Sequence, residues 1–206
     1  MTTRLELRTG VRRRLEDSGV NPLWDDAALN DFIGDSIRRY GVRFPAERTV
    51  TVVAGASVTS LPVTPPIDSM QIARVTDPNG DVVPRQMSER PLGGERLRPS
   101  AQAWRWWNQT LLLARPAALG NWRIDYLGGR IAPSDDVADV DIAPGDEEIV
   151  VLMTVGTALR RRAVEDGKRG NARAAMDLEH AADVFESLAR TMISGRKRRV
   201  RAAWFD

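Results

Sequence analysis

His180 is the only histidine in this 206-residue chain, so any imidazole-based acid–base, nucleophile-activating or metal chemistry would have to be built on it. Asp177 and Asp183 stand three residues before and after it. On a helix that is one turn either way, which would make a weak metal-binding face. Charged, solvated helices produce such triplets routinely, and that reading is preferred here. No Gly-x-Ser-x-Gly elbow accompanies it, so a Ser-His-Asp hydrolase is not indicated. The acids Asp135, Asp136, Asp139 and Asp141 lack the Asp-x-Asp-x-Asp-Gly spacing of a calcium loop and read as a solvated linker. There is no Walker A loop or Gly-x-Gly-x-x-Gly fingerprint, and Gly93-Gly94 and Gly128-Gly129 read as turns. The expectation is a protein that is not an enzyme, with no catalytic residues, no cofactor and no metal.

Two stretches could instead bind. Trp104, Arg105, Trp106 and Trp107 resemble the aromatic and basic strands on which single-stranded bases stack. On a strand, however, Trp104 and Trp106 face one side and Trp107 the other, so at least one face belongs to a core. The C-terminal segment is different in kind. Arg196, Lys197, Arg198, Arg199 and Arg201 face a single acid, Asp206, and the remainder of the chain carries 25 basic and 27 acidic side chains. A slightly acidic body therefore bears a strongly basic tail. That tail also contains Trp204 and Phe205, which a simple phosphate binder does not need. Aromatic and Arg anchors dominate interface energy, so the tail reads as a protein-docking element. The rival reading is a nucleic-acid-binding protein that uses the basic tail and the tryptophan strand.

The elements that carry these stretches follow from periodicity. The absence of cysteine fits a reducing compartment or a particle assembled in one. Positions 1–17 are studded with Arg and Glu and contain no apolar signal core. The longest apolar run, 149–159, is about half of the roughly 20 residues a membrane-spanning helix needs, so no membrane partner is expected. A first helix is predicted over 3–17, on Leu7, Val11 and Leu15. The clearest helix follows between Leu23 and Pro45: Asp25 is its N-cap, and Trp24 and Leu29 are spaced as a hydrophobic staple. Leu29, Phe32, Ile33, Ile37 and Tyr40 are its apolar stripe, and Gly41 and Pro45 its stop.

From Glu47 the period changes to two. Segments 48–54 and 57–61 flank Gly55-Ala56 as a candidate hairpin. Segments 71–76 and 81–86 flank Asp77-Pro78-Asn79-Gly80, and 103–107 and 110–114 flank Asn108-Gln109. Trp122, Ile124 and Tyr126 alternate on one further strand face. Helices are predicted again from Pro144 to about Asp166, apolar nearly all round at its start, and over 171–193, on Leu178, Ala182, Phe185, Ala189 and Met192. The expected fold class is α+β: a four-helix domain, two helices N-terminal and two C-terminal, with an inserted antiparallel β-sandwich or barrel-like domain. The expected boundaries are a helical pair over 1–46, the β domain over 47–134, a helical pair over 135–194 and a basic aromatic tail over 195–206.

This order of parts resembles the head-to-tail adaptor (connector) proteins of tailed bacteriophages. The likeness rests on the helix Leu5 to Leu15 with its Leu-x-x-Arg-x-x-x-Arg-x-x-Leu pattern, the Leu23-Trp24-Asp25-Asp26 start and Leu29-Asn30-Asp31-Phe32-Ile33. It continues through Leu61-Pro62, Leu111-Leu112-Leu113-Ala114-Arg115-Pro116, Tyr126 and the helix start from Pro144 to Arg162. The tryptophan cluster and the long Arg-rich end have no counterpart in the family pattern. The resemblance implies a structural virion protein of the neck, assembled in the host cytoplasm as a ring, usually of twelve copies. Such a ring sits beneath the portal protein, receives a stopper or tail-completion protein on its far side, and lets genome DNA pass without sequence-specific binding. It also implies, by position in the chain, that Arg196, Lys197, Arg198, Arg199, Arg201, Trp204 and Phe205 dock on the portal.

Overall fold

The computed structural model describes residues 2–64, 71–86 and 102–202, with side chains described as far as Arg196. Four helices and seven strands are formed among the described residues: α1 (Arg4–Arg14), α2 (Asp26–Arg43), β1 (Ala46–Ala54), β2 (Ser60–Pro62), β3 (Ile72–Thr76), β4 (Val82–Val83), β5 (Trp104–Trp107), β6 (Thr110–Leu113), β7 (Gly120–Gly128), α3 (Glu147–Lys168) and α4 (Ala172–Ala202). The chain divides into a helical unit, Met1–Phe44 with Gly129–Asp206, and a β unit, Pro45–Gly128.

In the helical unit, α1 begins at a reciprocal capping box. Glu6 N–H donates to the Thr3 hydroxyl oxygen at 3.2 Å, and Thr3 N–H donates to the Glu6 carboxylate at 2.8 Å. It ends at Arg14, three residues short of the expected Asp17, because Glu16 takes a positive φ of 53°. Asp17 instead accepts the N–H groups of Leu23 and Trp24 and so folds the α1–α2 link onto itself. At α2 the Asp25 carboxylate caps Ala28 N–H at 2.6 Å, as expected. Trp24 meets Phe32 edge-on, with ring centroids 5.7 Å apart.

Gly41 does not stop α2, which runs on to Arg43 with Phe44 as its C-cap. A Cβ on Gly41 would lie 3.0 Å from the backbone nitrogen of Arg130, so the glycine serves a close approach of chains. α3 is buried from Ile149 through Gly156, which places its first half at the centre of the helical core. Leu7, Val11, Leu29, Ile33, Ile37 and Tyr40 pack on that centre from α1 and α2, and Ala189 packs on it from α4. α4 passes the expected end at Ile193 and continues through Gly195 to Ala202, so much of the segment read as a tail is helical.

The β unit has two antiparallel sheets that do not close into a barrel, in the orders β1-β7-β3-β4 and β2-β6-β5. Leu61, Trp104, Leu111 and Leu113 from one sheet share a core with Val75, Val83, Trp122 and Ile124 from the other. Two of the three expected hairpins form. β3 pairs with β4 across a turn in which Asp77 accepts the N–H groups of Asn79 and Asp81, each at 2.9 Å. β5 pairs with β6 across Asn108 and Gln109, both at positive φ, as a twisted two-residue turn requires. The third does not form: β1 pairs with β7, from Ala46↔Gly128 to Ala54↔Gly120, while β2 pairs with β6. Local alternation identified both strands, but not their long-range partners.

Candidate docking surfaces of the helical unit

Of the seven residues read as a docking element, Arg196 is the one whose side chain is described. Its guanidinium lies 4.6 Å from the centroid of the Phe44 ring, donates to the Tyr40 hydroxyl oxygen at 2.8 Å and pairs with the Asp146 carboxylate. The Tyr40 hydroxyl in turn donates to Asp146. Asp146 is the N-cap residue of α3 yet makes no capping bond, because its carboxylate is committed to Tyr40 and Arg196. Arg130 lies over the Tyr40 ring, 5.3 Å from its centroid, and ties the Phe44 carbonyl (2.6 Å) to the Asp141 carboxylate (2.7 Å). Arg196 thus fastens the last turns of α4 to the end of α2 and the start of α3. Lys197, Arg198, Arg199 and Arg201 continue α4, with side chains outside the described residues, and Trp204 and Phe205 lie wholly outside them.

A second constellation surrounds Glu186. This α4 carboxylate is 5% exposed and receives Arg190 at 3.0 Å and Arg160 at 3.2 Å, with Arg39 at 3.8 Å. A buried carboxylate is tolerated because several guanidinium groups meet it. Arg160 also donates to Asp183 at 2.7 Å, which, with burial opposing, raises its already high pKa. Beside this cluster runs a groove of about 300 Å³. Met153, Ala189 and Ile193 line it, and Val42, Arg39, Arg43 and Arg190 complete its wall.

The acidic stretch 135–141 is not simply a solvated linker. Asp136 accepts from Arg8 at 2.6 and 3.0 Å and from Arg4 at 2.8 Å, and these bonds hold its carboxyl below the usual carboxylate range. The bond to Asp136 likewise raises the pKa of the buried Arg8. His180 and its neighbours Asp177 and Asp183 are exposed on α4, and among the described residues no group of His, Asp and Glu converges to hold a metal ion. In the β unit, Trp104 is buried and donates from Nε1 to the Val83 carbonyl at 3.0 Å. Trp106 packs against the same core, and Trp107 is 70% exposed. A stacking platform of all three rings is therefore not available.

The arrangement offers grooves, charged rims and a basic helical extension, which suit joining proteins together. A family model described as SU10 adaptor protein matches residues 2–203, nearly the whole chain. The chain belongs to the SU10 adaptor protein family. Comparison with curated proteins gives no match. Membership makes this adaptor a phage virion component that associates with other virion proteins, within a family whose role is structural. Among the described residues, no helix of the adaptor is long and apolar enough to cross a membrane.

Sequence reasoning did not find Tyr40, Asp146, Arg130 or the Glu186 cluster as parts of surface-forming networks. Tyr40 read as one more position of an apolar stripe, and Asp146 as one acid in a helix start. A buried glutamate carries no local signal at all. What marks these residues is the meeting of three helices, which the linear chain does not display.

Proposed function

We propose that this chain is the head-to-tail adaptor of a tailed-phage virion, a ring of about twelve copies beneath the portal that joins it to a stopper or tail-completion protein in the neck. Its C-terminal segment, Arg196, Lys197, Arg198, Arg199, Arg201, Trp204 and Phe205, docks on the portal, and genome DNA passes through the ring. Assembly takes place in the host cytoplasm. The observation that supports this reading is that α4 does not end at Ile193: it continues to Ala202 through the basic residues, with Arg196 pinned to Phe44, Tyr40 and Asp146. Held at Arg196, the basic segment leaves the body from a fixed point. A ring presents many such segments at once, so that after one docks the rest bind at high effective concentration.

Truncation is the direct test, and the cut must respect Arg196. Removal from Arg196 onward would strip Phe44, Tyr40 and Asp146 of their partner, so the chain should be ended after Arg196 instead. The expected outcome is a folded subunit, judged by circular dichroism, that no longer attaches to portal-bearing heads in an in vitro assembly assay. Attachment at the wild-type level would overturn the docking assignment. Loss of DNA affinity with a steep salt dependence, and no loss of head attachment, would favour the nucleic-acid reading instead.

A further inference from the structure

Val137 is 81% exposed, yet it does not sit on a slack loop. The Asp135 carboxylate accepts the N–H groups of Val137 (3.0 Å) and Ala138 (2.6 Å). Leu5 N–H donates to the Asp136 carbonyl at 3.2 Å, and Val140 N–H to the Thr2 carbonyl at 2.8 Å. Arg4 and Arg8 grip the Asp136 side chain from behind. The loop over 134–139 therefore holds an apolar side chain out into solvent, flanked by the exposed carboxylates of Asp135 and Asp139. That is a knob with an acidic collar.

The groove between α2, α3 and α4 has the opposite character. Met153, Ala189 and Ile193 make it apolar inside, and Val42, itself 81% exposed, extends that apolar surface to the outer edge. Its charges are Arg39, Arg43 and Arg190 against the single carboxylate Glu186, which Arg160 and Arg190 already neutralise. Arg43 makes no ion pair among the described residues, so the rim carries an excess of positive charge.

We infer that the Val137 knob of one copy seats in the Arg39–Arg43–Arg190 groove of the next, with Asp135 and Asp139 meeting the guanidinium rim. This rests on the ring reading above and names the faces that would close it. A chain cannot fill its own groove. The knob is tied through Asp136 and Arg8 to Asn30, near the start of α2, whereas the groove takes Val42 from that helix's end. Asn30 and Val42 stand twelve residues apart on α2, about 18 Å at 1.5 Å per residue. Knob and groove are different patches of one surface, so their pairing is head-to-tail and propagates from copy to copy until a ring closes.

Because the protein has no cysteine, two introduced thiols report cleanly. Full-length Val42→Cys and Val137→Cys chains, both altered at exposed positions, are mixed, assembled and treated with a short bis-maleimide. Cross-linked dimers should form only in the mixture. In parallel, Arg43→Glu and Asp139→Arg are each expected to weaken self-association by about tenfold or more in sedimentation, while the double variant in one chain restores it. Rings that assemble without the mixed cross-link, or charge variants that associate like the wild type, overturn the pairing and leave the adaptor reading standing. A chain that stays monomeric at every concentration and does not attach to heads defeats both.

Discussion

Asp125 shows how much one outward-facing side chain can organise. Its carboxylate accepts from Thr49 Oγ1 at 2.8 Å, Arg123 Nε at 2.7 Å, and Arg74 Nε and Nη2 at 2.9 and 2.7 Å, so strands β1, β3 and β7 are joined by side chains as well as by their backbone ladder. Burial alone would push its pKa up, but the bonds from Arg123, Thr49 and Arg74 outweigh it and lower the pKa to about 2. In the unfolded chain an aspartate titrates near 3.9, roughly. The folded value is the lower one, so the stabilisation is present above about pH 4 and is lost as pH falls through about 2. Asp125→Asn should therefore destabilise the β unit at neutral pH, and the gap from wild type should close on acidification from pH 4 to pH 2. Urea unfolding at a series of pH values, followed by hydrogen exchange in β7, reads this out. A gap that stays constant across that range would mean the ion pairs contribute nothing to folding.

At the scale of elements, two helical glycines make opposite claims. Gly41 reads as a helix stop in the sequence and Gly195 as the first residue of the tail, yet both lie inside helices. Around Gly195 nothing lies within 4 Å of a built Cβ, so alanine there should gain the ordinary helix-propensity advantage, roughly 0.5–1 kcal/mol. Around Gly41 the new methyl would meet the Arg130 backbone nitrogen at 3.0 Å and its Cβ at 3.1 Å. Arg130 cannot retreat easily while it is bonded to Phe44 and Asp141, and Gly41→Ala should cost about 1–3 kcal/mol through overpacking despite the better propensity. Thermal denaturation of the two variants compares them directly; equal shifts of the same sign would show that the contact at Gly41 is soft. The same pair explains what could be read in advance. Caps, stripes and turns are local chemistry: Asp25, the Asp77 turn and Asn108-Gln109 declared themselves, and so did the all-round apolar start of α3. The partner of β1 lies some seventy residues downstream in β7, and the role of Asp136 depends on Arg4 and Arg8 of a distant helix. No periodicity encodes such meetings. The stretch from Arg196 to Phe205 was legible as a basic aromatic unit, but its helical continuation and the capture of Arg196 depend on Tyr40, Phe44 and Asp146 arriving from elsewhere.

For the whole molecule, the division into two units has an energetic consequence. The β unit has its own core, with Trp122 and Ile124 fully buried beside Val75, Leu61 and Leu111, and the helical unit has another centred on α3. Separate cores, with the β unit entered after Phe44 and left at Gly129, make separate cooperative units the expected behaviour. Trp122 is the sharpest probe. Its ring is buried and its Nε1 donates to the Ala118 carbonyl at 3.0 Å, so Trp122→Ala removes a large aromatic and leaves a cavity costing about 3–5 kcal/mol. Hydrogen exchange should then show protection lost through β1, β3 and β7, while the amides of α3 from Ile149 to Ala158 keep wild-type rates. If α3 lost protection in step with β7, the chain would unfold as one cooperative body and the two cores would not be independent.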